Sequence, residues 1–204
     1  MADDKAARLD RMAEEVRGLD ESPLCEYRNK NGYQPVFGEG DPDSSLMLVG
    51  EAPGAQEAKT GRPFVGKAGR VLTYLLESIG IQREDVYITN VVKDRPPGNR
   101  DPRAEEIALY APFLLRQIEI IRPDVVATLG RLAMRFVLQE YHLPERGATI
   151  GELHGEVLEA DASHGNVLIV PLYHPAAGFF DPDLDDVMQQ DFQVLKQVVQ
   201  KEQA

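Results

Sequence analysis

Four short apolar runs recur along the chain: LMLVG at 46–50, VYITNVV at 86–92, DVVATLG at 124–130 and VLIVPLYHP at 167–175. Helical periodicity follows each of them, over 68–80, 101–123, 131–141 and 183–200. Runs that are apolar at nearly every position belong to strands buried on both faces, and strands alternating with helices build a parallel sheet with helices on either side. The spacing therefore predicts an α/β fold, a three-layer α/β/α sandwich around a central, mainly parallel four-stranded sheet. Gly80 closes the first of these helices, while Pro102 opens the second and Pro123 stops it.

Outside these units, Ala7, Leu9, Met12, Val16 and Leu19 fall at helical spacing, which predicts an N-terminal helix over 3–19. Residues 20–44, rich in Pro, Gly and Asn, read as loop, and the Gly-rich stretch 146–165 as a short hairpin. A length of 204 residues suits one domain spanning 1–204, with the helix and loop of 1–44 packed on it. No stretch approaches the roughly 18 apolar residues of a membrane span, and the first residues lack the apolar core of a signal peptide. The expectation is a soluble, cytoplasmic monomer. A net charge of −12 argues against non-specific attraction to nucleic acid, though it leaves room for a local basic face. Cys25 is the single cysteine, which excludes an internal disulfide framework and a thiolate-rich metal site. No metal site is expected.

In open α/β sheets, ligands bind beyond the carboxyl ends of the strands. That rule selects Gly50–Gly54, Asn90–Arg95, Gly130 and His174–Ala177. The loop GEAPGAQEAKTGRPFVGKAG (50–69) has neither Walker spacing nor GxGxxG, so it is not a standard phosphate cradle. Glu51 stands at its mouth. Phe64, in polar surroundings, is either a plug for the core or a platform on which a base stacks. Asn90 offers a donor and an acceptor together, enough to pair with one edge of a nucleobase, or it is a turn former. His174 precedes Pro175 and so has extended backbone; His142, His154 and His164 are assigned no role. Lys93, Arg95, Arg100 and Arg103 follow Asn90, and Lys59, Arg62, Lys67 and Arg70 occupy the other loop. Both sets are suited to phosphates, which position an enzyme without reading sequence.

Four blocks in one order, GEAPG…E…TGRPFVG, ITNVVKDRPPGNR, LLRQIEIIRPDVVATLG and HPAA, make the chain resemble the family 4 uracil-DNA glycosylases from about Phe37 to the final helix. The resemblance implies a monofunctional enzyme that flips uracil out of single- or double-stranded DNA and hydrolyses its N-glycosidic bond. By the family's pattern Phe64 stacks on the uracil and Asn90 reads its edge. Gly50, Glu51 and Ala52 form the wall beside the base and the attacking water. His174 donates to the uracil O2, and Glu51 stabilises the sugar cation or orients water. Lys93, Arg95 and Arg100 hold phosphates.

Three departures from the pattern stand out. The wedge expected after HPAA is aromatic here, Phe179 and Phe180, and Ala58 stands where an acid is common. The family carries an iron–sulfur cluster on four cysteines; Asp94 and Tyr110 occupy two of those positions, and Cys25 alone remains of a C-x-x-C whose other member is Ser22 or Arg28. The expectation is therefore no cofactor, with Tyr110 packing and an Asp94 pair with Arg28 or a neighbouring base as the local tie. Two other functions fit the same residues less directly: a same-fold glycosylase for hypoxanthine or xanthine, and a weakly catalytic DNA-binding relative.

Overall fold

A computed structural model describes residues 5–202; the first two positions of the expected N-terminal helix lie outside the described residues. Helix α1 (Lys5–Arg17) buries Leu9, Met12 and Val16, three positions on one helical stripe. A short helix α2 (Cys25–Lys30) and a two-residue strand β1 (Glu39–Gly40) interrupt the segment read as loop. The expected units follow as β2 (Leu46–Gly50), α4 (Lys67–Ser78), β3 (Tyr87–Asn90), α5 (Ala104–Ile121), β4 (Val125–Leu129) and α6 (Arg131–Glu140), while a six-residue helix, α3 (Ala55–Thr60), interrupts the stretch 50–69 read as loop. Then come α7 (Ile150–Leu153), β5 (Leu158–Ala162), β6 (Gly165–Leu172) and α8 (Leu184–Glu202).

The sheet runs β1-β3-β2-β4-β6-β5. Its inner strands, β3, β2, β4 and β6, are the expected parallel core, with Leu48 beside Ile88 on one side and Ala127 on the other. Two antiparallel edge strands extend the sheet to six, where four were expected. In place of a hairpin confined to 146–165, β5 pairs with the core strand β6 itself, turning just before Gly165, and α7 occupies part of the stretch ahead of it. Strand β1 is too short to carry a period, and Gly40 makes it possible: a Cβ there would sit 1.8 Å from the Val86 carbonyl oxygen.

Alternating residues of each strand feed opposite cores. Met47, Val49, Tyr87 and Val126 pack with residues of α1, α5 and α6, including Met12, Leu114 and Val137. Leu46, Leu48, Ile88 and Ala127 face α4 and α8 through Leu72, Leu76, Phe192 and Leu195. The three-layer sandwich is thus the direct product of strands that are apolar on both faces.

After β2 the chain moves outward to β3, then returns to place β4 on the other flank of β2. The carboxyl ends on either side of that reversal open a crevice. Among the described residues, no helix is long and apolar enough to cross a membrane.

Candidate active site

The crevice is a cavity of about 530 Å³ whose walls include Glu51, Ala52, Phe64, Asn90, His174 and Phe180. Four different segments supply these groups: the turn after β2, the loop between α3 and α4, the end of β3, and the turn after β6.

Asn90 is opposite Gly50 in the β2–β3 ladder and is buried. Its Oδ1 has no hydrogen-bond partner in the protein. A buried acceptor left unpaired costs about 1–3 kcal/mol, and the residue that carries it lines the cavity. Gly50 must lack a side chain, because a Cβ would lie 2.3 Å from that oxygen and 2.7 Å from the Phe64 ring. The ring therefore lies against bare backbone. Phe64 itself has φ of 49°, a left-handed conformation that costs a non-glycine residue on the order of 1–3 kcal/mol.

The His174 ring is tilted 34° from Phe64, with centroids 5.7 Å apart. Ala176 N–H donates to His174 Nδ1 at 3.1 Å, so the neutral ring carries its proton on Nε2 and can donate from there. Burial lowers the proton affinity of His174, against an opposing pull from the Glu57 charge, and this favours the neutral form. Glu51 is half-buried. Desolvation, then the neighbouring charge of Asp101, pushes its carboxyl above the usual range, and Arg131 pulls the other way.

The basic groups divide sharply. Lys93, expected on phosphate, is fully buried. Its Nζ donates to Thr89 Oγ1 and the Asn90 carbonyl, each at 2.7 Å, and to Gln117 Oε1 at 2.6 Å. That placement is a correction: no phosphate reaches this ammonium, and burial drives its pKa well below the usual lysine range. Arg95 lies over the Tyr33 ring, donating to the Tyr33 hydroxyl at 2.6 Å and to Asn99 Oδ1 at 2.8 Å. Arg100 forms a two-pronged pair with the buried Glu106, at 2.8 and 2.6 Å. Arg62 is likewise held by Glu39. Phe179 and Phe180 are 50% and 88% exposed, Phe180 at the cavity rim.

Sequence reading passed over two acids that line the cavity, Glu57 and Asp101. Asp101 was visible only as the start of a helix, and Glu57 only as one letter of a block. Its carboxylate accepts hydrogen bonds from the amides of Val65 and Gly66.

A sequence model of the uracil DNA glycosylase superfamily matches residues 37–196. The chain belongs to the uracil-DNA glycosylase superfamily. It is 41% identical to the type-4 uracil-DNA glycosylase of Saccharolobus solfataricus, over 94% of this chain and 86% of that one. It is 40% identical to the Archaeoglobus fulgidus enzyme of the same name, over 96% and 95% respectively. With the type-4 enzyme of Thermotoga maritima the identity is 44%, over 81% and 80%.

This kinship corrects the expectation of no cofactor. Type-4 uracil-DNA glycosylases are the family known for an iron–sulfur cluster, so a cofactor-free state does not follow for a superfamily member this similar to them. The residues present do not fit the usual donor set for such a cluster, four thiolates. Cys25 is the one cysteine, and no group of three or more His, Cys, Asp or Glu gathers for a metal among the described residues. Where the resemblance places cluster ligands, Asp94 Oδ2 instead accepts from Arg28 Nη1 at 3.0 Å and from the Tyr110 hydroxyl at 2.7 Å. Ser22 Oγ lies 2.9 Å from the same hydroxyl. No step of the chemistry below passes through such a group.

Proposed function

We propose that this protein excises uracil from DNA as a monofunctional glycosylase. Asn90, which lines the cavity beside Phe64 and His174 and has an unpaired acceptor, carries the reading. Uracil presents a donor at N3 between two carbonyl oxygens. Asn90 Oδ1 accepts from N3–H while its amide donates to O4, and a good bidentate pair discriminates between bases by about 1–3 kcal/mol. Stacking on Phe64 adds about 1–3 kcal/mol. A base inside a duplex cannot enter, so it is flipped out at a cost of a few kcal/mol, and Phe180 at the rim fills the space it vacates, with Phe179 beside it.

As the bond from C1′ to N1 breaks, its electron pair leaves with uracil and charge develops on O2. The Nε2–H of His174 stabilises that charge, and a preorganised donor of this kind is worth about 10²–10³ in rate. The Glu51 carboxylate faces the cationic sugar and orients the water whose oxygen bonds to C1′. The water's proton passes to the departing base, leaving free uracil and an abasic site. No lysine lines the cavity, and Lys93 is sealed beneath Asn90, which supports hydrolysis without an imine to the sugar. Arg95 meets the DNA backbone, and Arg100 shapes the loop through Glu106.

Release of free base from single- and double-stranded oligonucleotides containing uracil, hypoxanthine or xanthine tests the proposal. Uracil alone is expected to be released, with strand cleavage only after alkali. Preferential release of either purine, or spontaneous strand cleavage, refutes it.

A further inference from the structure

Phe64 is held from behind by a residue that takes no part in the chemistry. Glu57 Oε1 accepts from the amide of Val65 at 2.9 Å and from that of Gly66 at 2.7 Å. These are the two residues directly after Phe64, the residue with left-handed backbone. Gly66 is also the N-cap of α4 and offers no side chain of its own, so the carboxylate meets amides at the positive end of that helix. The other oxygen of Glu57 lies close to Gly54, where an added Cβ would come within 2.7 Å of it. One carboxylate is thereby wedged between two turns of the same cavity wall, the Gly54 turn and the Phe64 turn.

We propose that Glu57 is a positioning residue for base recognition: by holding the Val65 and Gly66 amides it keeps Phe64 in the conformation that lays its ring against Gly50 and across from His174. The inference rests on Phe64 being the base platform. Glu57 touches no reacting atom. Without it, the Phe64 backbone relaxes toward ordinary φ, the ring swings off Gly50, and uracil loses its stacking surface.

Inhibition of excision by free uracil isolates this effect, because free base competes for the pocket without engaging the DNA-binding surface. Measured on the full-length protein, Phe64→Ala and Glu57→Ala are each expected to weaken that inhibition by roughly five- to a hundredfold, the range of a lost stacking contact. Glu57→Gln keeps an acceptor oxygen and is expected to stay close to the wild type, while affinity for uracil-free DNA is unchanged in all three. Weakened inhibition in Phe64→Ala with wild-type inhibition in Glu57→Ala overturns the positioning role and leaves the platform intact. Wild-type inhibition in Phe64→Ala overturns both. Amide hydrogen exchange provides a readout that does not depend on Glu57→Ala folding. The Val65 and Gly66 amides are expected to be protected both in the wild type and in Glu57→Gln, which keeps the acceptor oxygen; unprotected amides in the wild type refute the inference.

Discussion

Arg28 and Asp94, 66 positions apart in the chain, form a buried ion pair at 3.0 Å, with side-chain exposures of only 6% and 1%. Tyr110 completes it from α5 by donating to the same Asp94 oxygen. The pair fastens α2 to the loop that follows Asn90. Removing one member of a buried pair strands the other, at a cost of roughly 3–5 kcal/mol. Asp94→Ala is therefore expected to lower the midpoint of chemical denaturation markedly, and Tyr110→Phe by a smaller step. Equal stability of Asp94→Ala and the wild type would show that the pair contributes nothing.

Asn90→Ala removes the proposed base reader together with its unpaired acceptor. Single-turnover excision is expected to fall by about 10²-fold or more, with thermal stability unchanged or slightly raised, since an unsatisfied buried oxygen disappears. Asn90→Asp exchanges the donor to O4 for a second acceptor, so the preference for uracil over cytosine is expected to shrink. Near-wild-type single-turnover rates in Asn90→Ala would place base reading elsewhere.

Lys93 and Arg95 are two positions apart, yet they answer to different tests. Arg95→Ala is expected to reduce the slope of log affinity against log salt by about one unit, as for one lost phosphate contact. Lys93→Met leaves that slope unchanged and instead destabilises the protein, because Thr89 Oγ1, the Asn90 carbonyl and Gln117 Oε1 lose their shared donor. A slope altered by Lys93→Met and untouched by Arg95→Ala would reverse the assignment.

Acid acts on the site through two groups. The carboxyl of Glu51 titrates above its ordinary 4.5, and the proposed mechanism needs it ionised. The ring of His174 titrates below its ordinary 6.5 and loses the Ala176 contact when protonated. Both predict a rate that falls as the medium is acidified, and Glu51→Gln is expected to remove the Glu51 part of that fall. Stability moves in the same direction for His174: the unfolded chain binds the proton more readily, so its contribution is intact above pH 6.5 and declines as pH drops toward the folded pKa. A wild type that keeps pace with His174→Gln in stability down through that range would contradict the assignment.

Phe180 is expected to matter most where a base must leave a stack. Phe180→Ala is predicted to slow excision from duplex DNA while sparing single strands. Equal losses on the two substrates would mean that the side chain binds DNA without wedging it.

The sheet core and most of the cavity were legible because both follow from local pattern. Strands apolar on both faces announce helices on both sides, and the carboxyl-end rule then singles out Glu51, Asn90 and His174. Phe64 stood out as an aromatic among glycines. Lys93 was misread because its burial is non-local: the acceptors that enclose it include Gln117, far along α5, and nothing in KDRPP reports them. Strand β1 was missed for a similar reason, since two residues have no periodicity and the pairing partner lies in β3. The arginine pairs, Arg95 with Tyr33 and Arg100 with Glu106, likewise appear only once the loop is folded.

The cavity draws Glu51, Asn90 and His174 from the ends of three different strands, which the inner sheet brings side by side in the order β3-β2-β4-β6. Its parts meet nowhere else along the chain. A segment that frays, or a half-assembled sheet during folding, holds one or two of these groups and no pocket. Competence to cut is thus all-or-none with the fold: the denaturant concentration that halves excision is expected to coincide with the one that halves the β-sheet signal, and no partly unfolded form retains residual activity against the bond between base and sugar.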